Sequence, residues 1–309
     1  MNPQKTTIDW LRFRAQAEPR DVLQSLRPLY GDAGSLLKFE FLDRGILGFR
    51  QGAKLVLGGM VVGRMDWGGE SQRGWVRTDI PGKGCEWVQD WSAVSGLESI
   101  PQAELKRLDV ALTTWDGEVT HETVLKAHRD GRFVTRGRPP ALRQITSSDP
   151  REGRTCYVGQ REKSDKFFRA YEKGFELAAK CGCRMAGEIT HIDGKRVEDI
   201  YRCELELKSE NTSVPWDVIE RRDQYFAGAY PFCSDILPGV EADILMRRPE
   251  RAPQMELQAA LANVRLQYGA TLFTALHAYH GDISAVWDLI VGDQHNQALI
   301  EAGALVVEH

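Results

Sequence analysis

No uninterrupted apolar run in the 309 residues approaches the ~18 that a membrane span needs, so no transmembrane helix is expected. The segment Met1 to Thr7 leads into an alternating stretch without the apolar core of a secretory signal, and a cytoplasmic chain is therefore expected. The six cysteines are scattered, and the closest pair, Cys181 and Cys183, forms neither a CxxC redox motif nor half of a zinc ribbon. Free thiols in a reducing compartment are the expectation. Gly82 and Gly84 flank Lys83, yet the chain lacks a GxxxxGK[ST] phosphate loop and a GxGxxG fingerprint, so Pro81 to Cys85 reads as a turn and no nucleotide cofactor is expected. A positive surplus is missing too: the net charge of -4 argues against a protein that coats nucleic acid indiscriminately. Any DNA-facing surface must be local.

One such surface is visible. Between Lys126 and Lys173 thirteen basic residues meet six acidic ones, which leaves the rest of the chain to carry about -11. That asymmetry suggests a side that faces a polyanion. Within it, Arg136, Arg138 and Arg143 surround a Gly/Pro-interrupted loop, and Arg161, Lys163 and Lys166 flank a turn. These six are candidate DNA contacts.

The length suits two modest domains. Short β-rich runs dominate the first two thirds: Thr6 to Ala15, Leu36 to Phe41, Gly45 to Arg50, Lys54 to Val62, Gly74 to Thr78, Leu105 to Thr113 and Glu198 to Lys208. Cys156 to Arg161 and Lys166 to Lys173 read as a hairpin. Helical spacing is expected after Asp21 and over His121 to Arg129, and it dominates from Pro215 onward. The reading is an α+β fold, with an antiparallel sheet as catalytic core, packed helices and a helical C-terminal region. A sheet-based domain is placed at 1–212, with an allowance for two related lobes split near 135–150, and a helical region at 213–309. No internal repeat is evident in the sequence itself.

Residues two apart on a strand share a face, and this rule sorts the polar side chains. Arg169, Tyr171 and Lys173 fall together, as do Arg107 and Asp109, and again Arg202, Glu204, Glu206 and Lys208. Each set lies opposite an apolar face. A phenol with pKa near 10 is a poor nucleophile, and flanking cations favour its ionised form, so Tyr171 between Arg169 and Lys173 is the candidate nucleophile. Asp109 and Glu204 are candidate ligands for a hard divalent ion, Mg²⁺ or Mn²⁺, that would polarise a phosphate, with Glu206 and Asp9 as substitutes. They are read as ligands and not as bases. Tyr157 and Tyr201 fall on apolar faces in this reading and are assigned to the core, and Tyr225 is a further alternative. Trp10 is among the aromatics that could stack bases. His277 and His280 read as an ordinary helix surface.

TIDWLRFR, RLDVAL, CYVGQREKSDKFFRAYEKGFEL and YRCELELK, in that order, resemble the motifs of Rep_trans-type rolling-circle replication initiators of plasmids and filamentous phages. The resemblance spans roughly residues 6 to 235. It implies that Tyr171, in the RxYxK segment, attacks DNA, becomes linked to a 5′ phosphate and frees a 3′ hydroxyl. It also implies origin DNA as substrate, single-stranded or as a hairpin-extruded duplex. A host replicative helicase, a single-strand-binding protein and a second copy of the chain are the implied partners. A single tyrosine per RxYxK segment suggests one nucleophile per chain. Two readings compete: a conjugative relaxase with the same chemistry, and a module that binds or regulates an origin without cutting it. A metal nuclease that activates water is a third.

Overall fold

The computed structural model describes residues 4–162, 164–181, 189–245, 257–296 and 299–300. Among them run the strands β1 (Thr7–Ala15), β2 (Leu37–Leu42), β3 (Gln51–Leu57), β4 (Met60–Trp67), β5 (Val76–Pro81), β6 (Glu104–Thr114), β7 (Leu142–Ile145), β8 (Thr155–Val158), β9 (Lys166–Tyr171), β10 (His191–Ile192), β11 (Lys195–Arg196) and β12 (Tyr201–Lys208). The helices are α1 (Pro19–Leu26), α2 (Gly82–Cys85), α3 (Ser95–Glu98), α4 (His121–Arg129), α5 (Lys173–Lys180), α6 (Arg222–Ala229), α7 (Pro231–Ile236), α8 (Leu257–Ala278) and α9 (Ile283–Ile290). No helix among the described residues is long and apolar enough to cross a membrane.

Ten strands form one antiparallel sheet in the order β2-β3-β4-β5-β1-β6-β12-β9-β8-β7, and β10 with β11 forms a separate hairpin. The fold is α+β, as the strand and helix patterns imply. Alternation decides which way the sheet faces. Leu11, Phe13, Leu108, Val110, Phe168, Ala170, Leu205 and Cys203 share one face and are buried with Val22, Leu26, Val124, Phe226 and Phe232 of the helices. Trp10, Arg12, Arg107, Asp109, Arg169, Tyr171, Arg202, Glu204 and Glu206 lie on the other face. The helices thus cover the apolar side and leave the charged side open.

The strand order reads alike outward from the central β1–β6 pair. On one side follow β5, β4, β3 and β2, on the other β12, β9, β8 and β7. The registers agree residue by residue: Arg64, Met65 and Asp66 pair with Asp79, Thr78 and Arg77 in the first half, and Arg169, Ala170 and Tyr171 pair with Glu204, Cys203 and Arg202 in the second. Trp10 faces Asp109 across the centre. The chain therefore contains a structural repeat that its sequence does not show, because the equivalent strands share a charge pattern and little else. The halves meet between Pro81 and Glu104, upstream of the split read near 135–150.

Two strand readings change. Gly45 to Arg50 forms turns, and Lys54 to Val62 is a hairpin, β3 and β4, reversed at Gly58 and Gly59, whose φ values are +56° and +93°. The chain forms two compact units, Met1–Arg247 and Arg248–His309. Residues 213–237 pack their Trp216, Ile219, Phe226 and Phe232 into the sheet unit, so the helical region read from residue 213 begins within that unit. In the second unit α8 and α9 expose Leu266, Phe273, Trp287 and Leu289, and His277 keeps its ring on Phe273. No described His, Cys, Asp or Glu gathers into a metal-binding group of three or more, His277 and His280 included. Cys85, Cys156, Cys181, Cys203 and Cys233 are free thiols, and Cys183 lies outside the described residues.

Candidate active site on the open face of the sheet

Tyr171 is the last residue of β9, and its hydroxyl donates to Glu204 Oε1 at 2.7 Å on the neighbouring β12. Arg169, two residues earlier on the same face, donates through Nε to Glu204 Oε2 at 2.8 Å, and its guanidinium lies 4.8 Å from the Tyr171 ring centre. Lys173 sits at the start of α5 and not on β9, where the alternation rule put it. Its ammonium nevertheless reaches back and donates to the Tyr171 hydroxyl at 3.3 Å, held from the other side by Glu176 at 2.9 Å. Arg169, Tyr171 and Lys173 therefore converge, Lys173 by the turn into α5 and not by strand alternation.

The electrostatics differ from the expectation. The Tyr171 phenol is held above its ordinary value, chiefly by burial and then by Glu204, whose negative charge and hydrogen bond both favour the protonated form. The flanking cations do not produce a standing phenolate. What the geometry supplies is a carboxylate already hydrogen-bonded to the hydroxyl, the arrangement a general base requires. Glu204, read from sequence as a ligand and not as a base, is placed to be that base.

A second carboxylate pair lies alongside. Asp109 and Glu206 face each other across β6 and β12. Arg107 Nε donates to Asp109 at 2.8 Å, and Arg161 Nε donates to Glu206 at 2.8 Å. Asp109 is pushed up to about 6 by burial, with Glu206 and Glu204 adding to the shift and Arg107 opposing it. Asp9 joins them through a bulge: β1 skips one residue between Ile8 and Trp10 in its pairing with β6, which turns Asp9 toward the charged face. Arg202 Nη1 donates to Asp9 at 3.1 Å. A cleft of about 180 Å³ is lined by Asp9, Trp10, Arg107, Asp109, Arg161, Phe167, Arg169, Glu204 and Glu206. A second, of about 230 Å³, is lined by Tyr157, Arg169, Tyr171, Arg154 and Glu176 among others, and Arg169 borders both. The first cleft sets four carboxylates against Arg107, Arg161 and Arg169, so a phosphodiester there would be met by these three guanidinium groups and not by a net positive surface.

These oxygens match a hard ion chemically, and a bound cation would offset the burial that raises Asp109 together with the smaller repulsion from Glu206 and Glu204. Mg²⁺ commonly uses one or two carboxylates plus substrate oxygens and not a closed protein cage, so Asp109 and Glu206 fit that donor pattern.

The DNA-contact candidates divide. Arg143 pairs with Tyr157, Tyr157 with Arg169 and Arg169 with Glu204, so Arg143 and Tyr157 belong to the row that carries the site. Tyr157 is thus half-buried on the charged face and not in the core, because β8 runs in a register that the sequence alone does not specify. Tyr201 is buried as expected, and Tyr225 is buried with its hydroxyl on Asp217 at 3.1 Å. Arg136 and Arg138 are exposed in the loop before β7, and Arg161 is exposed beside Glu206. Lys163 lies outside the described residues. Lys166 is corrected: it faces the helix side opposite Leu207, donates to the Ala229 carbonyl oxygen and covers the Tyr230 ring at 4.3 Å. Burial lowers its pKa, and it is not presented to DNA. Arg107 and Arg202 are site cations that the sequence reading left without a role, although their two-residue spacing from Asp109 and Glu204 marks them.

Two expected results follow. Replacing Arg143 with Ala lowers DNA affinity uniformly across sequences and reduces the log–log salt slope by about 1; binding titrations at several salt concentrations measure this. Gly174, directly after Lys173, would place an added Cβ 1.9 Å from the Val197 carbonyl oxygen. Gly174→Ala should displace α5 and Lys173 with it, costing about 1–3 kcal/mol in urea unfolding.

The first half of the chain carries the same lattice without the phenol. Asp66 stands where Tyr171 stands, fully buried and held by Arg64 at 2.8 Å and Arg77 at 2.9 Å. Asp79 replaces Glu204 and accepts from Arg12 Nε at 2.7 Å and Trp10 Nε1 at 2.9 Å.

Residues 103–259 match the model of a family described as replication initiation factor, Rep_trans, a span that begins at β6 and contains the half with Tyr171. A solved structure titled as that of the rolling circle replication initiator protein from Geobacillus stearothermophilus matches with a TM-score of 0.54 and 20% identity, covering 78% of this chain and 99% of that one. No curated protein matches. With the family model covering half of the sequence and its match centred on the β6 to β12 half-sheet, the chain belongs to the replication initiation factor family.

Proposed function

We propose that this protein starts rolling-circle replication by nicking one strand of its origin. The Tyr171 oxygen attacks the scissile phosphorus and its proton passes to Glu204. The P–O3′ bond breaks, leaving a 5′-phosphotyrosyl link and a 3′ alkoxide that takes up a proton to become the primer hydroxyl. Arg169 and Lys173 neutralise charge that builds on the phosphate oxygens. The observation that carries this reading is the Tyr171 hydroxyl donated to Glu204 at 2.7 Å beside two cations. The other half of the sheet supports it by contrast, since the equivalent position is the buried carboxylate Asp66.

Mg²⁺ or Mn²⁺ would be held by Asp109 and Glu206, with Asp9 at the margin, while Glu204 is committed to the phenol. When bound, the ion would draw charge from the phosphate. Origin DNA is the substrate in this reading, with helicase and single-strand-binding protein acting on the opened strands.

An end-labelled single-stranded origin oligonucleotide incubated with the protein and Mg²⁺ tests this. Label that stays with the protein through a denaturing gel supports strand transfer. Cleavage without that species indicates a hydrolytic nuclease, and binding without cleavage indicates an origin-binding module.

A further inference from the structure

Tyr157 has no place in the chemistry above, yet it lies directly across the strand pair from Arg169 on the charged face. Its ring stacks on Phe167, with centroids 5.6 Å apart and planes inclined by 27°. Phe167 is buried and carries the Arg161 guanidinium 5.7 Å from its centre. Phe167 lines the cleft that holds Asp109 and Glu206, while Tyr157 lines the one that holds Tyr171, with Arg169 on the border of both. A half-exposed ring backed by a buried ring is a rigid flat surface that costs little entropy to use. Tyr171, in contrast, has its hydroxyl fixed by Glu204 and its ring between Arg169 and Lys173.

We infer that Tyr157 is the stacking platform for one nucleobase next to the scissile phosphate, so that it fixes where along the strand the Tyr171 oxygen meets the backbone. This rests on the nicking reading for its register, but the stacking itself needs only a single strand lying on this face. Arg169 would hold the phosphate while Tyr157 holds the adjoining base, the combination of cation and aromatic face that grips single strands. The repeat supports this assignment to the second half: Lys54, paired with Arg64, occupies the position of Tyr157 in the first half, where no ring is offered.

The test measures affinity for single-stranded origin DNA in a Tyr171→Phe background, where strand transfer does not interfere. Tyr157→Ala should weaken binding about 5- to 150-fold, the range for losing one stacked base. Tyr157→Phe should restore it. An abasic nucleotide scanned along the oligonucleotide should reveal one position whose loss weakens binding equally, and at that position Tyr157→Ala should add nothing further. Equal effects of Tyr157→Ala on intact and abasic DNA would overturn the inference, as would a Tyr157→Phe protein as weak as Tyr157→Ala. In the Tyr171 protein, cleavage next to the scanned position ties the platform to the site. A scanned position without any cleavage would keep the platform and reject the nicking reading.

Discussion

Replacing Tyr171 with Phe should reduce cleavage of a single-stranded origin oligonucleotide by a factor on the order of 10⁴ or more and abolish the protein–DNA conjugate, while the protein stays folded. The size of the loss follows from the role: a nucleophile that forms the covalent bond has no substitute among the groups that merely hold the phosphate. The fold should survive because the ring, its cation contacts and the β9–β12 ladder are retained. Two hydrogen bonds are lost, the one donated to Glu204 and the one accepted from Lys173, each worth about 1 kcal/mol. Glu204 keeps Arg169 as its partner. Circular dichroism and urea unfolding beside the cleavage assay separate a chemical loss from a structural one. A Tyr171→Phe protein that still forms the conjugate would show that another side chain attacks.

Glu204→Gln carries the second large effect. A carboxamide of nearly the same shape cannot take the phenolic proton, and loss of a general base typically costs about 10²–10⁴-fold. Binding of uncleaved DNA should hold or tighten, since a negative charge leaves the phosphate-facing surface. The pH dependence gives a sharper signature. Burial and Glu204 together keep the Tyr171 phenol above its ordinary value of 10, so the hydroxyl is protonated throughout the neutral range. With Glu204 gone, the rate must follow the small phenolate fraction and rise about tenfold per pH unit between roughly pH 7 and 9. The protein with Glu204 intact should show a much shallower rise, because Glu204 takes the proton from the hydroxyl as it attacks and no phenolate need form beforehand. Single-turnover rates at saturating protein measure both slopes. Stability should fall by about 1–3 kcal/mol, because the Glu204 side chain is only 6% exposed and Arg169 loses its charged partner there.

How far the sequence reveals this site depends on what alternation can encode. A strand with one buried face must place every second residue in the core, so Leu108, Val110, Leu205 and Leu207 identify the side on which Asp109, Glu204 and Glu206 emerge. The same rule places Arg169 and Tyr171. It fails where the strand rule itself is suspended. Asp9 reaches the site through a bulge, Lys173 through the first turn of α5, and Tyr157 through a register set by the β8–β9 pairing. Lys166 shows the converse, a cation in a basic stretch that turns out to cap the Ala229 carbonyl beneath the sheet. Charge counting detects such a stretch but does not say which face each residue takes.

The repeat was hidden for a related reason. Its conserved content is a lattice of pairs, Arg64 with Asp79 and Asp66 with Arg77 against Arg169 with Glu204 and Tyr171 with Arg202, and these residues are far apart in sequence. Only the sheet brings them into register. Once aligned, the halves differ at the position where the proposed chemistry would act. Asp66 is fully buried between Arg64 and Arg77, whereas the position of Tyr171 offers a half-buried hydroxyl on the wall of a cleft, beside Arg169 and Lys173.

The most direct measurement is to trap the protein on an oligonucleotide whose scissile 3′ oxygen is replaced by sulfur, digest with trypsin and identify the peptide that carries the 5′ phosphate. Ala170–Lys173 should bear it on Tyr171. A conjugate on the Thr155–Arg161 peptide, or a cut strand with a free 5′ phosphate and an unmodified Ala170–Lys173 peptide, would contradict the assignment.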